Sequence, residues 1–229
     1  MEDSKMVRRL MLMTLALLAV VGLSTPQASK AATMNYVRVM HASPDAPAVD
    51  IFVDGKAVLT SVPFFALSGQ LALPDGTYTI DIAPAGAGVA ASVFETKLTL
   101  EGGYTGTVAA VGSLGLGNFD VKLYEDNYSM TGAGMSRVRV IHGSPDAPAV
   151  DIKIAGTQNV VVKGAKFGDA ATLEVPAGTY SFDISPAGSS TVLFTTPALR
   201  FESGWGYSLV ASGFASKNFW VQSRVDMVK

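Results

Sequence analysis

From Tyr36 onward the chain breaks into short stretches in which apolar and polar residues alternate. Tyr78, Ile80 and Ile82 alternate with Thr79 and Asp81, and Tyr180, Phe182 and Ile184 alternate with Ser181 and Asp183. A period of two puts one set on the core side of a strand and the other set on the opposite face. Pro74-Asp75-Gly76 and Pro176-Ala177-Gly178 predict a turn before these strands. Pro84-Ala85-Gly86 and Pro186-Ala187-Gly188 predict a turn after them. Asp54-Gly55, following a strand over 49–53, and Ala155-Gly156 predict tight hairpins. Further strands are expected over 36–41, 93–100, 103–111 and 119–124. No segment carries a 3.6-residue period, so the expected class is all-β.

The pattern occurs twice. Residues 37–51 read V-R-V-M-H-A-S-P-D-A-P-A-V-D-I and residues 138–152 read V-R-V-I-H-G-S-P-D-A-P-A-V-D-I, with thirteen of fifteen positions matching. A repeat of this length marks a tandem duplication. The expected division is a leader over 1–31, a first repeat over 32–124, a linker over 125–136 and a second repeat over 137–229. The linker is polar, holds two glycines and has no apolar period. Seven or so short strands per repeat, punctuated by turns, predict two tandem β-sandwiches of immunoglobulin-like or prealbumin-like type. The turn-then-tyrosine around Leu73, Gly76 and Tyr78 fits that type, with Tyr78 and Tyr180 mostly buried and their hydroxyls bonded to nearby backbone.

Composition narrows the function classes. Hydrophobic residues make up 48% of 229 and charged residues 16%, enough apolar material for two cores. With a net charge of −2 and no basic face, nucleic acid is excluded as the expected partner. Lys5, Arg8 and Arg9 precede an apolar run over 10–23, and Ser29-Lys30-Ala31 offers a cleavage site. That is the order of a signal peptide, with an uncleaved membrane anchor as the alternative; the run is short for a bilayer span, so no span is expected in the mature chain. Loss of this leader takes the formal charge from −2 to −4. The chain has no cysteine. Disulfides, thiolate metal sites, a cysteine nucleophile and a lipid-anchored cysteine are thereby excluded.

The repeated motif carries the candidate chemistry. His41 and His142, the only histidines, lie in phase with the valines at 37, 39, 138 and 140. A buried neutral imidazole bonded to a loop carbonyl is the plain expectation. Ser43, Asp45 and Pro44, and their counterparts Ser144 and Asp146, have the residue types of a turn. Arg38 and Asp50, with Arg139 and Asp151, are expected to form cross-strand ion pairs if their two strands are adjacent, contributing about 0.2–1 kcal/mol if exposed. A sharper alternative is metal ligation by His41, Asp45 and Asp50, repeated by His142, Asp146 and Asp151; such donors suit a divalent transition metal. Three ligands within ten residues is a weak pattern, however. A hydrolase triad from His41, Ser43 and Asp45 is not expected, because no third group could orient the base from its far side. The glycines of the run over 112–117 lack the lysine and the strand-to-helix setting of a phosphate loop.

The motif, with the later P-x-G-T-Y strand, resembles the bacterial domain-of-unknown-function 4397 family over nearly all of the chain beyond the leader. The resemblance implies exported or surface-displayed β-sandwich domains, often in tandem, and no catalytic residues. Among the aromatics, Trp205 lies in phase with Leu209 and is expected in the core. Trp220 faces away from Phe219 and Val221, either exposed or packed between the repeats, and is the one candidate surface for binding a polymer. Phe64 and Phe65 follow Pro63 in a loop and are candidates for exposure. The expected function is an exported, non-enzymatic binding or structural protein, displayed at the cell surface or secreted, with no cofactor or metal. Its partner is unknown, with a cell-wall or extracellular polymer as a candidate. The alternatives are a carbohydrate- or cell-wall-binding accessory protein and, lower, a metal-dependent enzyme using the His-x-Ser-Pro-Asp turn.

Overall fold

A computed structural model describes residues 32–126 and 129–227, which contain strands and one 3-10 turn at Val89–Ala91 but no α-helix. The leader expected over 1–31 lies outside the described residues. No helix among them is long and apolar enough to cross a membrane.

The first repeat supplies β1 (Met34–Ala42), β2 (Val49–Val53), β3 (Lys56–Val62), β4 (Leu71–Pro74), β5 (Gly76–Pro84), β6 (Phe94–Leu100), β7 (Thr105–Val111) and β8 (Asp120–Glu125). They form two four-stranded sheets, ordered β4-β1-β7-β8 and β3-β2-β5-β6. β1 and β7 run parallel and the other neighbours antiparallel. The sheets close face to face over Val37, Val39, Ile51, Ile82, Leu100 and Val108. The turn after β2 has Asp54 at φ 50 and Gly55 at φ 74, both left-handed. That geometry matches the twist of the flanking strands and explains the Asp-Gly pair.

The second repeat supplies β9 (Met135–His142), β10 (Val150–Ile154), β11 (Val160–Ala165), β12 (Ala170–Pro176), β13 (Gly178–Tyr180), β14 (Phe182–Pro186), β15 (Phe194–Thr195), β16 (Leu199–Phe201), β17 (Gly206–Phe214) and β18 (Lys217–Met227). The sheet β12-β9-β17-β18 repeats the first repeat's β4-β1-β7-β8, including the parallel pair. Its mate, β11-β10-β14-β15, differs from β3-β2-β5-β6 at the edge. In the first repeat, Tyr78 pairs with Leu98 and Asp81 with Glu95 along unbroken strands. In the second, Tyr180 pairs with Leu199 and Asp183 with Thr195, so the edge strand holds one extra residue between those points. The excess falls at Thr196-Pro197, where proline cannot donate to the ladder, and it splits both strands. Thr196 patches the break: its hydroxyl accepts the Phe182 N–H at 2.9 Å and its own N–H donates to the Phe182 carbonyl at 2.9 Å.

The outer faces of β1 and β7 are also buried. Met40, Ala42, Ala109, Val111 and Tyr124 meet Ile141 and Val210 in a third apolar cluster. The sheets β4-β1-β7-β8 and β12-β9-β17-β18 therefore pack on each other, making a four-layer stack. Two expectations change here. The linker is shorter than 125–136, since β8 reaches Glu125 and β9 begins at Met135. Arg38 does not pair with Asp50, nor Arg139 with Asp151, because β1 and β2, like β9 and β10, belong to different sheets. Arg38 instead pairs with Asp126 at 2.7 Å, and Arg139 pairs with Asp126 at 2.7 Å and Asp226 at 3.5 Å. These charges lie in the seam between the repeats, with the Asp126 side chain only 3% exposed.

Candidate functional site

Each histidine of the motif ends the first strand of its repeat on the core side. His41 is 1% exposed and donates from Nε2 to the Pro47 carbonyl at 3.0 Å. His142 does the same to Pro148 at 3.0 Å. A carbonyl only accepts, so these bonds fix the proton on Nε2 and leave Nδ1 as a lone pair. His41 Nδ1 accepts a long 3.4 Å contact from the Ser43 N–H. Burial lowers both histidine pKa values, against the raising effect of the carbonyl bond. The rings are neutral at pH 7.

Asp45 is exposed at its edge but reaches 68 to 70 residues along the chain, into the β7–β8 loop. It accepts the Ser113 hydroxyl at 2.6 Å and the N–H groups of Gly115 at 2.9 Å and Leu114 at 3.1 Å. The glycine run thus cradles a carboxylate of its own chain. Asp146 repeats this with the Ala215 N–H at 2.6 Å and the Ser216 hydroxyl at 2.8 Å. Burial tends to raise both carboxyl pKa values, but the hydroxyl and amide donors outweigh it and hold both low. Gly112 at φ 90 and Gly213 at φ 80 open these two loops. A Cβ there would be driven into the Asn118 carbonyl oxygen or into that of Asn218.

Asp50 and Asp151 serve a different loop. Asp50 accepts the N–H of Ser61 at 2.8 Å and of Gly86 at 2.8 Å. Asp151 accepts those of Gly188 at 2.8 Å and Gly164 at 2.7 Å. These backbone donors hold both carboxyls low. Ser61 at φ 52 and Gly164 at φ 65 sit in bulged strands, and the aspartate satisfies the amide that each bulge frees.

The histidine, Asp45 and Asp50 are therefore directed to three separate backbone sites and are not brought together. The same holds for His142, Asp146 and Asp151. No group of three His, Cys, Asp or Glu among the described residues is arranged to hold a metal ion. Ser43 lies 3.4 Å from Asp45, and Ser144 donates to the Gly213 carbonyl at 2.8 Å. Both hydroxyls point their bonds at groups other than imidazole.

The turns of the two repeats also touch. Asn118 accepts the Ser113 N–H at 2.9 Å and donates to the Pro145 carbonyl at 3.0 Å, joining the first repeat's loop to the second repeat's motif. Beside them lies an aromatic patch. Trp220 is 40% exposed and meets Phe64 edge-on at 5.9 Å, so it is both a surface residue and a contact between the repeats. Phe64 and Phe65 are half-buried, and Arg224 binds the Phe65 carbonyl and lies over its ring. Trp205 packs against the second core. Tyr78 and Tyr180 bond the carbonyls of Pro74 at 2.7 Å and Pro176 at 2.9 Å, but the rings are half-buried rather than mostly buried.

A family model, "Domain of unknown function (DUF4397)", matches residues 35–153, just over half of the chain. The chain belongs to the DUF4397 family. The match runs from Asn35 in β1 through the rest of the first repeat's strands and on to Lys153 in β10, which takes in the second repeat's motif. No curated protein matches this DUF4397 chain. Several solved structures are similar at low levels. The TIE protein of Bacillus anthracis is 14% identical, with 79% of this chain and 34% of that chain covered and a TM-score of 0.27. This chain thus spans about a third of the length of that protein. A streptococcal virulence factor described by its alpha-glucan binding is 10% identical, with 77% and 92% covered and a TM-score of 0.25. A Bacteroides ovatus protein described as a candidate cell adhesion protein is 10% identical, with 87% and 100% covered and a TM-score of 0.28. These values are too low to transfer a function.

Proposed function

We propose that this chain is an exported, non-enzymatic protein that works by binding or by structural display at the cell surface or in the medium. The observation that carries this reading is the commitment of the motif's groups. The imidazole of each copy is bonded to a carbonyl, and each carboxylate is saturated by loop donors. Turnover needs a nucleophile or metal with a positioned base and an orienting group. The motif is instead a fastener: its residues hold the β1–β2, β5–β6 and β7–β8 turns of the first sandwich and the β9–β10, β14–β15 and β17–β18 turns of the second. Export rests on the order of residues 5–31, and N-terminal sequencing of secreted protein checks it. A broad hydrolase panel on metal-supplemented protein is expected to show no turnover. Activity lost in both His41→Ala and His142→Ala, with folding intact by circular dichroism, contradicts the reading.

A second reading, recognition of a carbohydrate or cell-wall polymer, is favoured by the exposed Trp220 beside Phe64. An exposed indole offers a sugar ring a flat apolar face with a polar edge. A glycan array on wild type and Trp220→Ala decides it. Binding that disappears in the variant supports the patch; binding untouched by the variant places recognition elsewhere.

A further inference from the structure

The second sandwich has a cavity of about 150 Å³ between its sheets, and a cavity in the core of the first measures about 30 Å³. The register of the strands explains part of the difference. Val49 pairs with Val62 and Ile51 with Leu59, whereas Val150 pairs with Ala165 and Ile152 with Val162. The second repeat thus places smaller side chains at two core positions of β11. Phe182 and Leu209, larger than Ile80 and Val108 at the matching places, line the cavity without filling it. Close-packed cores rarely leave a void of this size. An apolar cavity of about 150 Å³ stays dry and can take up a six-carbon ring.

Two features separate this void from a packing fault. First, it has a mouth. Among its lining residues Leu193 is 54% exposed and Ala215 is exposed, one beside β15 and the other in the β17–β18 turn. Thr196, at the bulge that splits the edge strand, also lines it. Second, one of its lining side chains carries a buried polar atom in need of a partner. His142 lines the cavity, and its Nδ1 is buried with no hydrogen bond. The Nε2–H bond to Pro148 makes that Nδ1 an acceptor. Apart from Thr196, whose hydroxyl accepts the Phe182 N–H, the other lining residues are apolar, and this atom asks for one donor.

We propose that the second sandwich of this chain is a binding site for a small phenol, a single aromatic ring whose hydroxyl donates to His142 Nδ1. The ring fills the apolar volume and enters between Leu193 and Ala215. The site is separate from the Phe64–Trp220 patch and does not depend on polymer recognition. The first sandwich takes no such ligand, because Leu59 and Val62 occupy the space and His41 Nδ1 already accepts from Ser43.

The test is an NMR titration of purified, isotope-labelled protein with phenol, and with toluene as the same ring lacking the donor. Phenol is expected to give saturable shifts at amides lining the cavity, such as Val162 and Leu209, and none at Ile51 or Val108. Toluene is expected to bind at least tenfold more weakly. Val162→Leu combined with Ala165→Val, which copies the first repeat, is expected to abolish binding with folding unchanged by circular dichroism. Absence of saturable phenol shifts overturns the proposal, as do shifts lying outside the cavity, toluene binding equal to phenol, or undiminished binding by a folded double variant. If the double variant fails to fold, the shift map and the phenol-to-toluene ratio on wild type decide.

Discussion

Two imidazoles that the fold keeps neutral make it sensitive to mild acid. Burial lowers the pKa of His41 and His142, so below the ordinary value of 6.5 the unfolded chain takes up protons that the folded chain refuses. Their contribution to stability is therefore complete above pH 6.5 and is lost as the pH falls through the folded values. Asp45, Asp50, Asp146 and Asp151, held low, add a second loss below the carboxylate value of 3.8. Asp226, which burial pushes up against the lowering effects of Ser208 and Arg139, gives the opposite slope above 3.8. Urea midpoints measured from pH 8 to pH 5 are expected to fall below pH 6.5; a midpoint that rises on acidification contradicts the assignment of neutral rings. His41→Ala should cost about 1–3 kcal/mol, from the unsatisfied Pro47 carbonyl and a small cavity, read as a lowered melting temperature. The buried histidine was readable from its phase with Val37 and Val39. The far end of Asp45 was not, because its partners lie 68 to 70 residues away and no local spacing encodes them.

The glycines that open the β7–β8 and β17–β18 turns are the most demanding positions of those elements. Gly112→Ala and Gly213→Ala each combine a left-handed backbone with a Cβ driven into a carbonyl oxygen. Each should cost more than about 1 kcal/mol by thermal melting. Gly55→Ala, also left-handed but with open space around it, should cost less than either. Equal losses at all three would mean that the close approach is relieved by local movement. Strands were legible where apolar and polar residues alternate, as in β5 and β14. β4 was missed because four residues carry too short an alternation. β1 and β7 were legible as strands, but nothing in their alternation shows that the second face is closed by the other repeat: a half-buried Arg38 has the same letter as an exposed one.

At the level of the molecule, the seam between the repeats is held by charge as well as by apolar packing. Arg139 donates to Asp126, to the carbonyls of Tyr124 and Glu125, and to Ser208. Arg139→Ala takes away one of the two arginines that pair with the buried Asp126 and with Asp226 and should cost about 3–5 kcal/mol. Wild type is expected to melt as one calorimetric transition, with equal calorimetric and van't Hoff enthalpies, and the variant as two. A wild type that already melts in two steps would mean that the seam does not couple the repeats. The seam also decides which surfaces the duplication leaves free. With β4-β1-β7-β8 and β12-β9-β17-β18 turned inward, the sheets β3-β2-β5-β6 and β11-β10-β14-β15 form opposite ends of the stack. The outward sides of these two sheets look in opposite directions, so a single flat surface can touch only one of them at a time. Two copies that faced the same way would grip one support twice; two that face apart can only stand between supports, and so can join them.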